Sequence, residues 1–355
     1  MNPAYDQILS ADEETRAGLF TTTALRLGST PQNIEKDFWV CWTLDALFNG
    51  LAVGGPRLLF KGGTSLSKGF GLISRFSEDI DVTVFRDDLS VSATVEELGS
   101  LSGKKRTARL NEIAAACQAY IQGQLLKELT ATIAKSATRN GLPPDRCRVI
   151  VDENDDQTLL VWYPSAFPTD AYVQPTIKIE SGAKSALDPN TMRTIRPYVD
   201  DDAPGLDLAV GNVTTVDPDR TFWDKVVILH GLRRWYEKRG ELRGGSQRVS
   251  RHYYDVHMLM DSDVGRRALS NRMLGADCVA HARMFFNRPD YDLAAARPPT
   301  FAILPHDGMV DALRRDYGVM TAMIFGPPPD FDQVLKSVAG LEALLNAPKE
   351  EADEV

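Results

Sequence analysis

Two aspartates separated by one residue, Asp79 and Asp81, follow a glycine turn, Gly62-Gly63-Thr64-Ser65, and together these residues could handle phosphate. Asp79 and Asp81 alternate with Ile80 and Val82, so on an extended strand both carboxylates project from one face and both aliphatics from the other. Two carboxylates so placed can share divalent metal ions. Upstream, apolar Leu58-Leu59-Phe60 runs into the two glycines, which permit a sharp turn and a close approach of ligand to backbone. Thr64 or Ser65 then caps a short helix whose free N–H groups favour an anion. The order is strand, glycine turn, short helix, strand: a phosphate seat followed by a metal-binding edge. Either half alone also reads as an ordinary turn or a solvated strand face.

Further candidates lie downstream. Thr176-Ile-Lys-Ile-Glu180 alternates polar and apolar residues, placing Lys178 and Glu180 on one strand face. A third carboxylate on a neighbouring strand could complete metal coordination or accept a nucleophile's proton; an exposed strand face is the other reading. In Phe222-Trp-Asp-Lys-Val-Val-Ile-Leu229, Lys225 shares a helical face with Phe222, Ile228 and Leu229. A cation on an apolar face needs an anion, either a triphosphate or a structural carboxylate. Asp255 shares a face with Arg251, Met258 and Leu259, so it must pair with Arg251 or serve a site. Between Arg233 and Arg251 basic residues far outnumber Glu237 and Glu241, giving a local polyanion patch or a solvated linker. Lys104-Lys105-Arg106 with Arg109 is a smaller basic run. His252 and His257 lack a metal-ligand constellation.

The elements that must hold these residues can be traced by periodicity. Residues 12–28 read as one helix and Thr30 to about Phe48 as another, with an Ile34, Phe38, Trp42, Leu44, Leu47 stripe. Glu35-Lys36-Asp37 in its first turn reads either as a dipole-compatible helix start with a surface ion pair or as a contact with nucleotide. Ser90 to Ser102 reads as a loop. Leu110, Ile113, Cys117, Ile121, Leu125, Leu129 and Ile133 mark a long helix packed on one face and ended by Asn140-Gly-Leu-Pro-Pro. Strands follow at 148–151, 158–163, 172–180 and 192–199, the first two as a hairpin. A polar stretch at 197–205 marks a lobe boundary near 200. Asp217-Pro218 opens the next helix, and helices continue to Leu345.

The chain has 355 residues, a formal charge of −9 and a pI near 5.2. This acidity excludes binding nucleic acid by bulk attraction and leaves the local patches to do it. Cys41, Cys117, Cys147 and Cys278 have no paired spacing, which fits a reducing cytoplasm. No secretory signal or membrane-length apolar run is expected.

In this order and spacing the segments resemble the AbiEii family of toxin nucleotidyltransferases, within the DNA-polymerase-β-like superfamily. The first motif corresponds to Gly62, Gly63, Thr64 and Ser65 with Asp79 and Asp81, the second to Lys178 with Glu180, the third to Lys225, and the fourth to the Arg251 to Asp255 segment. Ile34-Glu-Lys-Asp-Phe-Trp39 also takes part. His252 stands where the family often has an additional Asp, leaving Asp255 as the motif's only acid. The resemblance covers about residues 34–260 and implies a polymerase-β-like lobe with a mixed sheet flanked by helices. With the polar boundary near 200, the helical pattern beyond it and the acidic composition of the last residues, an α+β chain is expected, with that lobe over 1–200, a mainly helical lobe over 201–346 and a disordered tail at 347–355. It implies Mg²⁺ or Mn²⁺ on Asp79 and Asp81, an NTP substrate cradled by Gly62 to Ser65 with Lys178 and Lys225, and a catalytic set of Asp79, Asp81, Glu180, Lys225 and Asp255. The expected partners are an RNA acceptor, in some relatives the tRNA 3′ end, and a cognate antitoxin. A protein or small-molecule acceptor, or an inactive nucleotide-binding module, are the alternatives.

Overall fold

The computed structural model describes residues 1–168, 174–243 and 248–348. The chain divides into two compact units, Met1–Asp217 and Pro218–Val355. The first is built on a seven-stranded mixed sheet: β1 (Leu58–Lys61), β2 (Ile80–Val84), β3 (Val149–Asp152), β4 (Asp155–Trp162), β5 (Thr176–Gly182), β6 (Asn190–Ile195) and β7 (Val210–Val216). Their spatial order is β3-β4-β5-β2-β1-β7-β6. The pairs β2–β5 and β1–β7 are parallel, and the other neighbours are antiparallel. Helices flank this sheet, giving the expected α+β architecture. On β5 the pleat buries Ile177 and Ile179 while Lys178 and Glu180 stay half-exposed, as strand alternation requires.

The Pro31–Asn49 helix is the first unit's spine. Thr30 accepts from the Asn33 amide as its N-cap and Pro31 fills its first position. It packs against β5 and β7 and is buried almost all round between Ile34 and Leu47. Phe38, Trp39, Trp42 and Tyr163 meet there with ring centroids 5.1–5.4 Å apart, contacts that add directional packing to a large apolar burial.

Several local expectations give way. The expected loop at 90–102 contains a helix, Val95–Ser100, whose capping box is formed by Thr94 and Glu97; the Thr-x-x-Glu signal was present in the sequence. Lys104 to Arg109 lies inside the Gly103–Tyr120 helix rather than before it. Arg106 and Arg109 donate to the carbonyls of Leu98 and Ser92. The long helix is broken by a π turn at Ile121–Leu125 before continuing as Leu126–Arg139. β6 stops at Ile195, and Tyr198–Asp202 forms a 3₁₀ turn. β7 was not anticipated, and because it pairs with β1 and β6 the first unit runs past residue 200 to Asp217.

The second unit is mainly helical among the described residues, with principal helices at Pro218–Arg239, Ser250–Met260, Asp263–Ser270, Arg272–Phe285, Asp307–Met320 and Phe331–Asn346. From 349 on, the expected acidic tail lies outside the described residues, as do 172 and 173 of the expected third strand. Among the described residues no helix is long and apolar enough to cross a membrane. All four cysteines are free and buried.

Candidate active site

β1 delivers the chain directly into the Gly62–Lys68 helix. The helix starts at Gly62, ahead of the position that a Thr64 or Ser65 cap would give it, and Lys61 at the N-cap position supplies no side-chain bond. Gly62 has φ +82°, the left-handed region that favours glycine. The hydroxyls expected to cap the helix instead fasten the turn. Ser65 Oγ donates to the Gly62 carbonyl at 2.9 Å. Thr64 Oγ1 donates to the Asp79 carbonyl at 2.5 Å and lies 2.7 Å from Ser77 Oγ. The glycine turn and the start of the Asp79-Ile-Asp81 segment are thus stitched together.

Both glycines sit under close contacts, and at Gly62 the left-handed φ adds to the demand for glycine. A Cβ on Gly62 would fall 2.1 Å from Asp81 Oδ2, and one on Gly63 would fall 2.2 Å from Nη2 of buried Arg75. The Asp81 carboxylate therefore lies against the backbone of the turn. Lys61 faces Asp81 in the β1–β2 register, with Nζ 3.8 Å from Oδ1. On the other side, Asp81 pairs in register with Glu180 of β5. Glu180 in turn accepts from Lys178 at 2.8 Å. The Glu180 carboxylate, with Asp79 contributing, holds the Lys178 ammonium above its ordinary range. The backbone of Asp79 and the carboxylate of Asp81 thus meet the glycine turn, with Glu180 beside Asp81 on the next strand and Lys178 bonded to Glu180.

Their chemistry suits a hard divalent cation. Mg²⁺ is commonly held by one or two carboxylates and completed by water and substrate phosphates. The Asp81 carboxylate presses on the very turn that would carry those phosphates. Among the described residues no group of three or more His, Cys, Asp or Glu side chains could hold a metal ion. Glu180 is engaged with Lys178 rather than turned into such a cluster.

Behind the site, the Glu35-Lys36-Asp37 triplet departs from its expected surface role. Glu35 and Asp37 are each 2% exposed. Glu35 accepts from Ser165 Oγ at 2.6 Å and the Ala166 amide at 2.7 Å, while burial pushes its carboxyl up against those bonds. Lys36 donates to Glu78 at 2.7 Å. Asp37 accepts from Lys68 Nζ and from the Tyr198 amide, both at 2.7 Å. Lys68 also lies 3.5 Å from the Tyr198 ring centroid. Lys68 and Arg75 were missed by sequence reasoning; their only signal was a charge set inside an otherwise apolar or glycine-rich motif.

In the second unit, Lys225 and Asp255 come together, Nζ to Oδ2 2.7 Å, with side chains 8% and 0% exposed. Within the fold Lys225 faces this carboxylate, and Asp255, expected to pair with Arg251 or to serve a site, meets Lys225. Phe222 and Leu229 are buried beside the pair's helix, but Ile228 is exposed. Much of the 233–251 basic patch is already paired: Arg233 and Arg234 with Glu237, and Arg239 with Asp290. Arg243 sits 5.3 Å from the Tyr291 ring centroid. Residues 244–247 of that patch lie outside the described residues.

The family model described as "Nucleotidyl transferase AbiEii toxin, Type IV TA system" matches residues 45–337. Among solved structures, the chain is similar to MenT4, a nucleotidyltransferase toxin from Mycobacterium tuberculosis H37Rv. That similarity has 16% sequence identity and a TM-score of 0.45, covering 93% of this chain and 99% of the other. No curated protein matches significantly.

Proposed function

This chain belongs to the AbiEii family of nucleotidyltransferase toxins of type IV toxin–antitoxin systems, and from that premise we propose that it transfers a nucleotidyl group from an NTP to the 3′ end of tRNA, blocking translation in the cytoplasm until a cognate antitoxin counters it. The acceptor hydroxyl oxygen attacks the α-phosphorus, the bond to the bridging oxygen breaks, and pyrophosphate leaves. Glu180 would accept the hydroxyl proton. The backbone of Gly62 to Ser65 would take the β- and γ-phosphates, with Lys178 as a nearby counter-charge. Asp79 and Asp81 would hold Mg²⁺ or Mn²⁺, whose charge offsets that developing on the phosphate oxygens. Lys225 and Asp255 enter the proposal on motif resemblance alone.

The observation that carries this reading is Asp81, set in register with Glu180 and pressed against Gly62. Carboxylates on a rigid sheet beside a glycine turn supply the positioning and electrostatics on which phosphoryl transfer depends. Each α-³²P-labelled NTP should be incubated with purified wild-type protein and Mg²⁺, in turn with total tRNA, a protein extract and a pool of small metabolites. Label on tRNA that resists phosphatase until periodate oxidation and β-elimination have removed the 3′-terminal nucleoside is the expected result. Label on protein or metabolite alone would replace the acceptor, and no transfer in any arm would overturn the reading.

A further inference from the structure

We propose that Lys36 and Asp37 are positioning residues: adjacent on one buried helix, they grip the two halves of the nucleotide site from behind and fix them relative to each other. The inference rests on assigning Gly62 to Ser65 and Asp79 to that site.

Asp37 reaches Lys68, at the C-terminal end of the helix whose first residue is Gly62. A helix of seven residues has little stability of its own. Its orientation therefore depends on anchors, and Lys68 is one with both side chains of the pair almost fully buried. Tyr198 closes the anchor, donating its amide to Asp37, covering Lys68 with its ring, and standing with its hydroxyl 3.2 Å from Ser67 Oγ. Lys36 meanwhile reaches Glu78, the residue immediately before Asp79. On an extended backbone Glu78 projects opposite to Asp79. Tying Glu78 to the Pro31–Asn49 helix thus holds the segment by its back, leaving Asp79 and Asp81 to face forward. The two ties diverge from consecutive residues of a helix that is itself locked into the sheet against β5 and β7. Glycine turn and aspartate strand consequently share one mount, reinforced by the Thr64 to Asp79 hydrogen bond between them.

Two variants separate positioning from bulk stability. Lys36→Met removes a tie in which Glu78 retains some solvent exposure. The double variant Asp37→Asn with Lys68→Met removes the other tie without leaving a lone buried charge, and the side-chain amide oxygen that replaces the carboxylate can still accept from the Tyr198 amide. Both should fold, and both should lose roughly ten- to hundredfold in kcat/KM, the scale of an ångström-level misplacement. Lys36→Met should act mainly on kcat and the double variant mainly on KM for NTP. Independently of activity, amide hydrogen exchange should quicken over 61–70 in the double variant and over 76–82 in Lys36→Met, while β3 and β4 stay unchanged. Unchanged exchange in those segments, or a uniform rise across the first unit, would overturn the proposal. A wild-type protein that transfers no nucleotide would sink the functional reading instead, while the exchange pattern would still decide whether the mount exists.

Discussion

Asp81 on β2 stands in register with Glu180 on β5, across a parallel strand pair. Neighbouring strands lie about 4.8 Å apart, so two carboxylates so placed repel each other. The fold relieves this with a cation at each end of the row: Lys61 near Asp81, and Lys178 on Glu180. With Asp79 added, carboxylates still outnumber these two cations, leaving net negative charge for a divalent ion to neutralise. Asp81→Asn should therefore leave the melting temperature nearly unchanged while lowering kcat by on the order of a thousandfold, several kcal/mol of lost charge stabilisation. Mn²⁺ titration followed by electron paramagnetic resonance should show weaker binding in the same variant. Wild-type turnover and Mn²⁺ affinity in Asp81→Asn would exclude Asp81 as a metal ligand.

Gly62→Ala tests the turn itself. The substitution imposes a side chain at φ +82° and drives its Cβ into Asp81 Oδ2. A stability loss of about 1–3 kcal/mol is expected from the strained backbone. Turnover should fall by roughly a hundredfold, because turn and carboxylate must move apart. Alanine at Gly71, also at positive φ but with nothing near its Cβ, is the control. It should show a comparable strain cost with activity retained, read by denaturant titration alongside initial rates.

Lys225 and Asp255 call for a double-mutant cycle. Lys225→Met leaves the Asp255 carboxylate buried without its near ammonium, and breaking such a pair typically costs about 3–5 kcal/mol. Adding Asp255→Leu should recover most of that stability. Transfer activity is then measured on the restored double variant. Its loss in a protein as stable as wild type would give the pair a catalytic part, whereas full activity would make it structural only.

What the sequence made legible was local. The glycine turn and the alternation of β2 and β5 are carried by residues a few positions apart, so spacing put Asp81 on β2 and Lys178 and Glu180 on one face of β5, whereas Asp79 lies just before the first residue of β2. Burial of the Glu35-Lys36-Asp37 triplet was not legible, because a run of charges near a helix start ordinarily faces solvent; the helix begins at Pro31, which puts the triplet in its second turn. Their partners come from distant segments: Glu78 for Lys36, Lys68 for Asp37, Ser165 and Ala166 for Glu35. β7 escaped for a related reason. Its segment holds Gly211 and Asn212, the latter at φ +59°, which blurs the alternation, and its parallel partner β1 lies far away in sequence.

A last prediction concerns acid sensitivity of the second unit. His230 is fully buried in the Pro218–Arg239 helix. The Ala302 amide lies 3.1 Å from its Nδ1, and its Nε2 lies 3.1 Å from the Asp292 carbonyl oxygen. Nδ1 must accept and Nε2 must donate, so the ring is neutral, and protonating Nδ1 would break the Ala302 bond. Burial is the largest cause pushing the His230 pKa below 6.5, and burial also lowers His257 in the same unit. The folded state consequently takes up these protons later than the unfolded chain as pH falls. Stability from the neutral ring is fully present above the unfolded value of about 6.5 and is lost as pH falls through the folded value. Between about pH 7 and pH 5 the wild-type melting temperature should drop more steeply than that of His230→Gln, which offers a carbonyl acceptor and an amide donor without a proton to gain. Calorimetry at matched ionic strength reads the two slopes, and equal slopes would remove His230 as a source of the acid sensitivity.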